Sequence, residues 1–253
     1  MIYIKSDNEI ENMRKSGRIV AETLAKLEEV IKPGITTKEL DRIAEEYIIS
    51  CGARPSFKGY YGFPATLCTS INEEVVHGIP KDRVLQEGDI ISVDCGAYYN
   101  GFHGDAARTF PVGKISSEVQ KLIDVTRESF FEGIKYAIVG NRIGDISNAI
   151  QTYVESFGFS VVRDYVGHGI GKKMHEEPPV PNYGKSGRGP KLLKGMTLAI
   201  EPMVNMGTFA VKERFDGCSE IMTVITYDGK PSAHYENTIV ILDNGPEILT
   251  ILK

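Results

Sequence analysis

Asp94, Asp105, His168, Glu201 and Glu236 are side chains of the kind that bind divalent cations, and their spacing suggests that they meet. Asp94 lies in a strand-like run, Ile90 to Tyr99. Asn100-Gly101 is a two-residue hairpin signal, and Phe102 to Phe110 reads as the return strand. A two-residue loop pairs positions whose numbers sum to 201, so Asp94 falls opposite Ala107 and Asp105 opposite Gly96. Side chains alternate faces with period two. Unless a bulge breaks the parity, Asp94 and Asp105 are then diagonal neighbours on one face, within about 7–8 Å. Glu201 ends an apolar strand, Thr197 to Ile200, and Glu236 sits in the strand-like Ala233 to Leu242. Four carboxylates in one pocket raise one another's pKa values unless cations join them. Two divalent ions balance their charge, and a neutral imidazole at His168 completes an oxygen-rich set suited to Mn²⁺, Fe²⁺ or Co²⁺, and less distinctively to zinc. The competing reading is strand-end acids facing water, as most Asp and Glu do. Against it, Val93-Asp94-Cys95 and Ala199-Ile200-Glu201-Pro202 set their acids among mostly apolar neighbours.

The elements that must carry these residues repeat. Ser6 and Glu9 form a capping box ahead of Ile10, Met13, Val20, Ala21, Leu24 and Leu27, an amphipathic spacing that ends at Pro33-Gly34. Thr36 and Glu39 cap a second helix whose apolar face holds Leu40, Ile43, Ala44, Tyr47 and Ile48, with Gly52 beyond its end. Adding 106 to Gly34, Leu40, Tyr47 and Gly52 lands on Gly140, Ile146, Tyr153 and Gly158. His77-Gly78-Ile79 recurs as His168-Gly169-Ile170, and Gly88-x5-Asp94 as Gly195-x5-Glu201. The expectation is one α/β domain, 1–253, made of two similar halves near 1–112 and 113–253 that face each other. Two copies are too few for a solenoid.

Composition excludes other classes. With 29 basic and 34 acidic side chains the net charge is −5, which argues against a generally basic nucleic-acid binder. No apolar run approaches the roughly eighteen residues that span a bilayer, and residues 1–15 hold no secretory apolar region. Cys51, Cys68, Cys95 and Cys218 are widely spaced without a CxxC pair, which suits a reducing compartment and small buried apolar residues. Gly167 to Lys173 fails as a phosphate-binding loop: three residues, not four, separate its outer glycines, and Lys173 stands where Ser or Thr is needed. Its glycines are expected to allow close approach of the backbone to a metal-bound substrate.

Val75-Val76-His77-Gly78-Ile79-Pro80, Val93-Asp94, Gly101-Phe102-His103-Gly104-Asp105, Gly167-His168-Gly169-Ile170-Gly171, Ile200-Glu201-Pro202 and His234-Tyr235-Glu236-Asn237-Thr238 resemble the type I methionine aminopeptidases of bacteria. The resemblance runs over nearly the whole chain and implies the pita-bread fold, two pseudo-symmetric α/β halves around a dinuclear metal site. It makes Asp94 a ligand of one ion and His168 and Glu201 ligands of the other, with Asp105 and Glu236 bridging. It also makes Glu201 the general base, and His77 and His175 contacts to the substrate peptide that stabilise the tetrahedral intermediate. Tyr60, Phe63, Cys68 and Met174 are then expected around the methionine side chain. His103 and His234 are read as structural. Departures are Met222 where the family commonly has Trp, His234 where Gln is common, Asn237 where His is common, and a longer segment from Gly207 to Ser219. Met222 is expected in the substrate pocket, loosening control of the second residue.

The implied activity is removal of N-terminal methionine from nascent proteins and peptides, preferably before a small second residue. It would use two divalent ions (Co, Mn, Fe or Zn) in a cytoplasmic monomer. The ribosome near its exit tunnel is an expected partner, with Lys212 and Arg214 as docking candidates. The alternatives are an exopeptidase like prolidase or aminopeptidase P, which usually carries an extra N-terminal domain, and a non-catalytic pita-bread binding module, which typically loses metal ligands.

Overall fold

The computed structural model describes residues 1–216 and 222–252, so Cys218 and the end of the 207–219 segment lie outside the described residues. Helix α1 spans Asp7–Val30 and α2 Thr37–Ser50. Glu9 accepts from the Ser6 amide and the Thr36 hydroxyl from the Glu39 amide, so orphan donors at both N-termini find partners. Val20, Leu24 and Leu27 of α1 pack with Leu40, Ala44 and Ile48 of α2 against Ile91, Val93, Cys95 and Ala97. Each such fully buried aliphatic side chain stabilises the fold by roughly 1.5–3 kcal/mol.

Helices α3 (Ser117–Ile134) and α4 (Ile143–Ser156) repeat this arrangement, and shifting α2 by 106 residues reproduces both ends of α4. Leu122 and Phe130 of α3 and Ile146, Ile150 and Val154 of α4 pack with Leu198, Ile200, Ile239 and Ile241 in a second core.

Two sheets carry the chemistry. In the first, Ile90–Tyr99 pairs along one edge with Leu67–Ile71 and Arg54–Pro55 and along the other with Phe102–Pro111. In the second the order is Gly245–Ile248, Asn237–Leu242, Thr197–Ile200, Gly167–Gly169, Glu176–Val180. A smaller sheet joins Glu74–Val76 to Thr223–Thr226 and Val211–Arg214. The halves are stitched where the hairpin meets the strand at 237: the Thr238 hydroxyl accepts from the Asp105 amide and donates to its carbonyl, and the Glu236 amide donates to the Ala107 carbonyl. No helix among the described residues is long and apolar enough to cross a membrane.

Candidate active site

Strand alternation delivers the acids. The hairpin runs in register from Ile90↔Pro111 to Tyr99↔Phe102 and includes Asp94↔Ala107 and Gly96↔Asp105, so both aspartates stand on the face opposite the one packed on α1 and α2. In the second sheet Leu198 and Ile200 enter the core beneath α3 and α4, while Ala199 faces the other way. Glu201, two residues on, keeps that parity. Continuing the Asn237↔Ile200 register one step sets Glu236 opposite Glu201, and His168 lies directly across from Ala199. All five side chains thus line one cavity of about 300 Å³ between the sheets.

The geometry there suits a cation. His168 Nδ1 lies 2.8 Å from the Gly169 carbonyl oxygen, to which it can only donate. Nε2 therefore keeps its lone pair, 3.6 Å from Glu201 Oε1 and 3.8 Å from Asp105 Oδ2. The Cβ atoms that Gly167 and Gly169 lack would fall 2.4 and 2.2 Å from the carbonyl oxygens of Ala199 and Glu177. These glycines answer to neighbouring strands, not to the expected approach of substrate, and they hold His168 close against the strand that ends at Glu201.

Burial raises the pKa values of Asp105, Glu201 and Glu236 well above the carboxylate range, with neighbouring carboxylates adding to it, and lifts Asp94 to about 7. Asp94 and Asp105 are close enough for each carboxyl to influence the other's titration. Burial likewise lowers His168 to about 3, so its imidazole is neutral. Asp94 Oδ1, Asp105 Oδ1 and Glu236 Oε1 are buried without a hydrogen-bond partner among the described residues. Such atoms are costly to leave bare. Together with the neutral imidazole they form the donor set of a divalent transition-metal ion.

The rest of the cavity divides into an apolar side and a histidine side. Phe63, Cys68 and Met174 are buried in one cluster with Tyr60 packed against it, and Cys68 is the direct cross-strand partner of Asp94. His175 Nδ1 and the Tyr60 hydroxyl oxygen are hydrogen-bonded at 2.8 Å, and the His175 ring centre lies 4.2 Å from that of His168. His77 follows Glu74–Val76 with a left-handed φ of 63°, its ring edge-on to Tyr165 and hydrogen-bonded to the Met222 backbone. Burial lowers its pKa to about 4.

Some expectations change. Met222 is half-buried and does not belong to the cavity lining; its main chain reaches the site through a hydrogen bond with His77. Arg214 is committed to buried Glu74 and to Asp216, whereas Lys212 is exposed and lies 5.3 Å from the Tyr227 ring centre. His103 Nδ1 lies 2.9 Å from the Ser56 hydroxyl oxygen, and its ring centre is 4.6 Å from that of Tyr98. His234 is also absent from the lining, but it adjoins two of the acids: it is 1% exposed, and Nε2 lies 3.7 Å from Glu201 Oε2 and 3.9 Å from Glu236 Oε2. Period-two alternation back from Glu236 could have found it. Asn237, at the other departure, accepts from Arg108 and Thr250 and so belongs to the stitching between halves. Tyr165 and Phe57 complete the wall, and no motif marked them.

Comparison with known proteins is consistent over the whole chain. Residues 11–243 match the profile of metallopeptidase family M24. A methionine aminopeptidase of Clostridium acetobutylicum is 66% identical, with 100% of both chains covered. The crystal structure of methionine aminopeptidase from Thermotoga maritima superposes with a TM-score of 0.96 at 49% identity, again over 100% of each chain. Prolidase from Pyrococcus furiosus shares the fold at a TM-score of 0.80 and 22% identity, and 66% of its own length is matched.

Proposed function

The chain belongs to metallopeptidase family M24, and from that premise we propose that it is a methionine aminopeptidase, a metal-dependent hydrolase that removes methionine from the N-termini of nascent polypeptides. The observation that carries the reading is the convergence, beside an apolar pocket, of two carboxylates from each half with a neutral imidazole. Asp94, Asp105, His168, Glu201 and Glu236 would hold two divalent ions, of Co, Mn, Fe or Zn. When bound, such ions supply Lewis acidity that eases ionisation of a water and polarises the scissile carbonyl.

The chain's own groups do the rest. Glu201 accepts the proton of the attacking water at a carboxylate oxygen and passes it to the leaving amide nitrogen. With the Tyr60 hydroxyl donating to Nδ1 of His175, Nε2–H of that ring is left to donate to the oxygen that gains charge in the tetrahedral intermediate. His77, donating to the Met222 carbonyl, keeps its other nitrogen as an acceptor suited to a substrate N–H. Tyr60, Phe63, Cys68 and Met174 offer an apolar lining that suits an unbranched thioether. Acids beside that pocket would receive the substrate's α-amine, which limits the enzyme to a free N-terminus and one residue per cycle. Met222, outside the lining, acts on the second residue only through His77, so Met-Ala, Met-Gly and Met-Ser peptides should be preferred to Met-Lys and Met-Leu.

The whole chain serves as one catalytic domain with pseudo-repeat halves, a monomer in the cytoplasm. Lys212 remains the candidate for docking at the ribosome near its exit tunnel. A peptide panel tests the assignment. Stripping with a strong chelator should abolish hydrolysis of Met-Ala-X, and Mn²⁺, Co²⁺ or Fe²⁺ should restore it. Full activity in stripped protein would sink the metal mechanism, and faster release of Leu or Pro than Met would refute the methionine assignment.

A further inference from the structure

His234 is the one imidazole of the centre that neither the expected ligand set nor the mechanism uses. Its backbone is pinned: the His234 amide donates to the Thr109 hydroxyl, which donates back to the His234 carbonyl, and Ser232–His234 pairs antiparallel with Met203–Asn205. The ring is thereby held between Glu201 and Glu236. Its Nε2 is buried with no hydrogen-bond partner among the described residues. At 3.7 and 3.9 Å the two carboxylate oxygens are too far for hydrogen bonds. They lie just beyond the spacing of two ligands on one ion, since donors about 2.0–2.2 Å from a metal in tetrahedral array are roughly 3.3–3.6 Å apart, and a small side-chain adjustment closes that gap. His168, an expected ligand, shows nearly the same spacing to its own carboxylates, 3.6 and 3.8 Å.

The donor atoms fall into two groups, each mutually within 4.8 Å: Asp105, His168 and Glu236 in one, and Glu201, His234 and Glu236 in the other. Glu236 belongs to both, as a bridging carboxylate must, and each group has one imidazole. Glu201 reaches towards His168 with Oε1 and towards His234 with Oε2.

We propose that His234 is a ligand of the metal centre through Nε2, giving the centre a second imidazole on the side reached by Glu201 and Glu236. The inference rests on the metal-centre reading above and deepens it: where the resembling family commonly places Gln, this chain places a better donor for Co²⁺, Fe²⁺ or Zn²⁺. One consequence is tighter retention of the ion on the Glu201 side. Another is that Glu201, sharing its ion with an imidazole, carries less of the binding and keeps more freedom to move a proton.

X-ray absorption of the protein loaded with two equivalents of Co²⁺ or Zn²⁺ counts imidazoles directly by their outer-shell scattering. The wild type should show two per two ions, and His234→Gln, which puts the family's usual residue in place, should show one. In competition titrations with a chromophoric chelator, His234→Gln should release one of the two ions at least about 10–100-fold more readily, the loss expected even for an outer-shell partner. The wild-type count decides the matter even if the variant fails to fold. A single imidazole in the wild type, or unchanged affinities in a folded His234→Gln, overturns the inference. A slowed His234→Gln with one imidazole in both proteins also overturns it, leaving His234 as a positioning residue for Glu201. Protein that binds neither ion overturns the metal-centre reading itself, so the two failures are separable.

Discussion

The first half gives the cavity two aspartates from a single hairpin, whereas the second gives a histidine from one strand and two glutamates from just beyond the ends of two others. The scaffolds nevertheless match. α2 and α4 coincide after a shift of 106, and the glycines before them, Gly34 and Gly140, have φ of 98° and 96°. Asp94 and Glu201 follow Gly88 and Gly195 at the same interval. The His-Gly-Ile match does not belong to this symmetry. Its offset is 91, and the structure sets His77 in a left-handed turn beside the small sheet but His168 within a strand of the five-stranded sheet. Positions that shape the backbone are equivalent in the two halves, while the polar side chains they bring to the cavity differ. Reach is one reason. Paired hairpin strands bring Asp94 and Asp105 together on short side chains, whereas Glu201 and Glu236, at the ends of their strands, have the extra methylene to extend into the cavity.

If the second half carries the proton chemistry, the equivalent acids should behave unequally. Glu201→Gln should lower turnover by more than the ~10²–10⁴-fold of acid–base work alone, with the fold intact by circular dichroism. In Asp94→Asn, excess metal should recover part of the rate, which it should not do for Glu201→Gln. Equal and equally rescuable losses would erase the functional difference between the halves.

His175→Ala sharpens the comparison next. It should keep its metal while turnover falls roughly 10²-fold or more, the scale of one lost oxyanion donor. Metal loss on dialysis would place His175 among the ligands.

The pH dependence of the stripped protein tests the shared cavity. Asp94, Asp105, Glu201 and Glu236 have raised folded pKa values, so their contribution is intact below the unfolded carboxylate pKa and is lost as pH rises through the folded values. His168, His234 and His77 have lowered folded pKa values, so they favour unfolding as pH falls below about 6.5. The two trends oppose each other in acid, but above about pH 6.5 only the carboxyls still change. Stability without metal should then fall by up to about 1.4 kcal/mol per pH unit for each carboxyl still protonated in the folded chain. Bound ions favour the ionised acids, so the gap in Tm between loaded and stripped protein should widen with pH. A constant gap from pH 6.5 to 8.5 would contradict the burial of the acids.

The smallest effect probes the scaffold alone. Gly34→Ala and Gly140→Ala meet no neighbour within 4 Å but force a side chain into left-handed backbone. Each should cost about 1–2 kcal/mol in urea melts. Clearly unequal costs would argue that the two turns are not equivalent.

Much of this was decided by the sequence alone, wherever a property depends on near neighbours. Helix starts follow from Ser6 and Thr36, the hairpin register from Asn100-Gly101, and the common face of Asp94 and Asp105 from alternation along paired strands. The motifs that resemble an aminopeptidase family are likewise local and in order. Only the tertiary structure turned His234 towards Glu201 and Glu236, took Met222 out of the cavity wall, tied Arg214 to Glu74, and showed that Gly167 and Gly169 answer to adjacent strands. Periodicity fixes which face of an element a residue occupies, but what that face meets depends on how two sheets from distant parts of the chain pack together, and no local spacing encodes that.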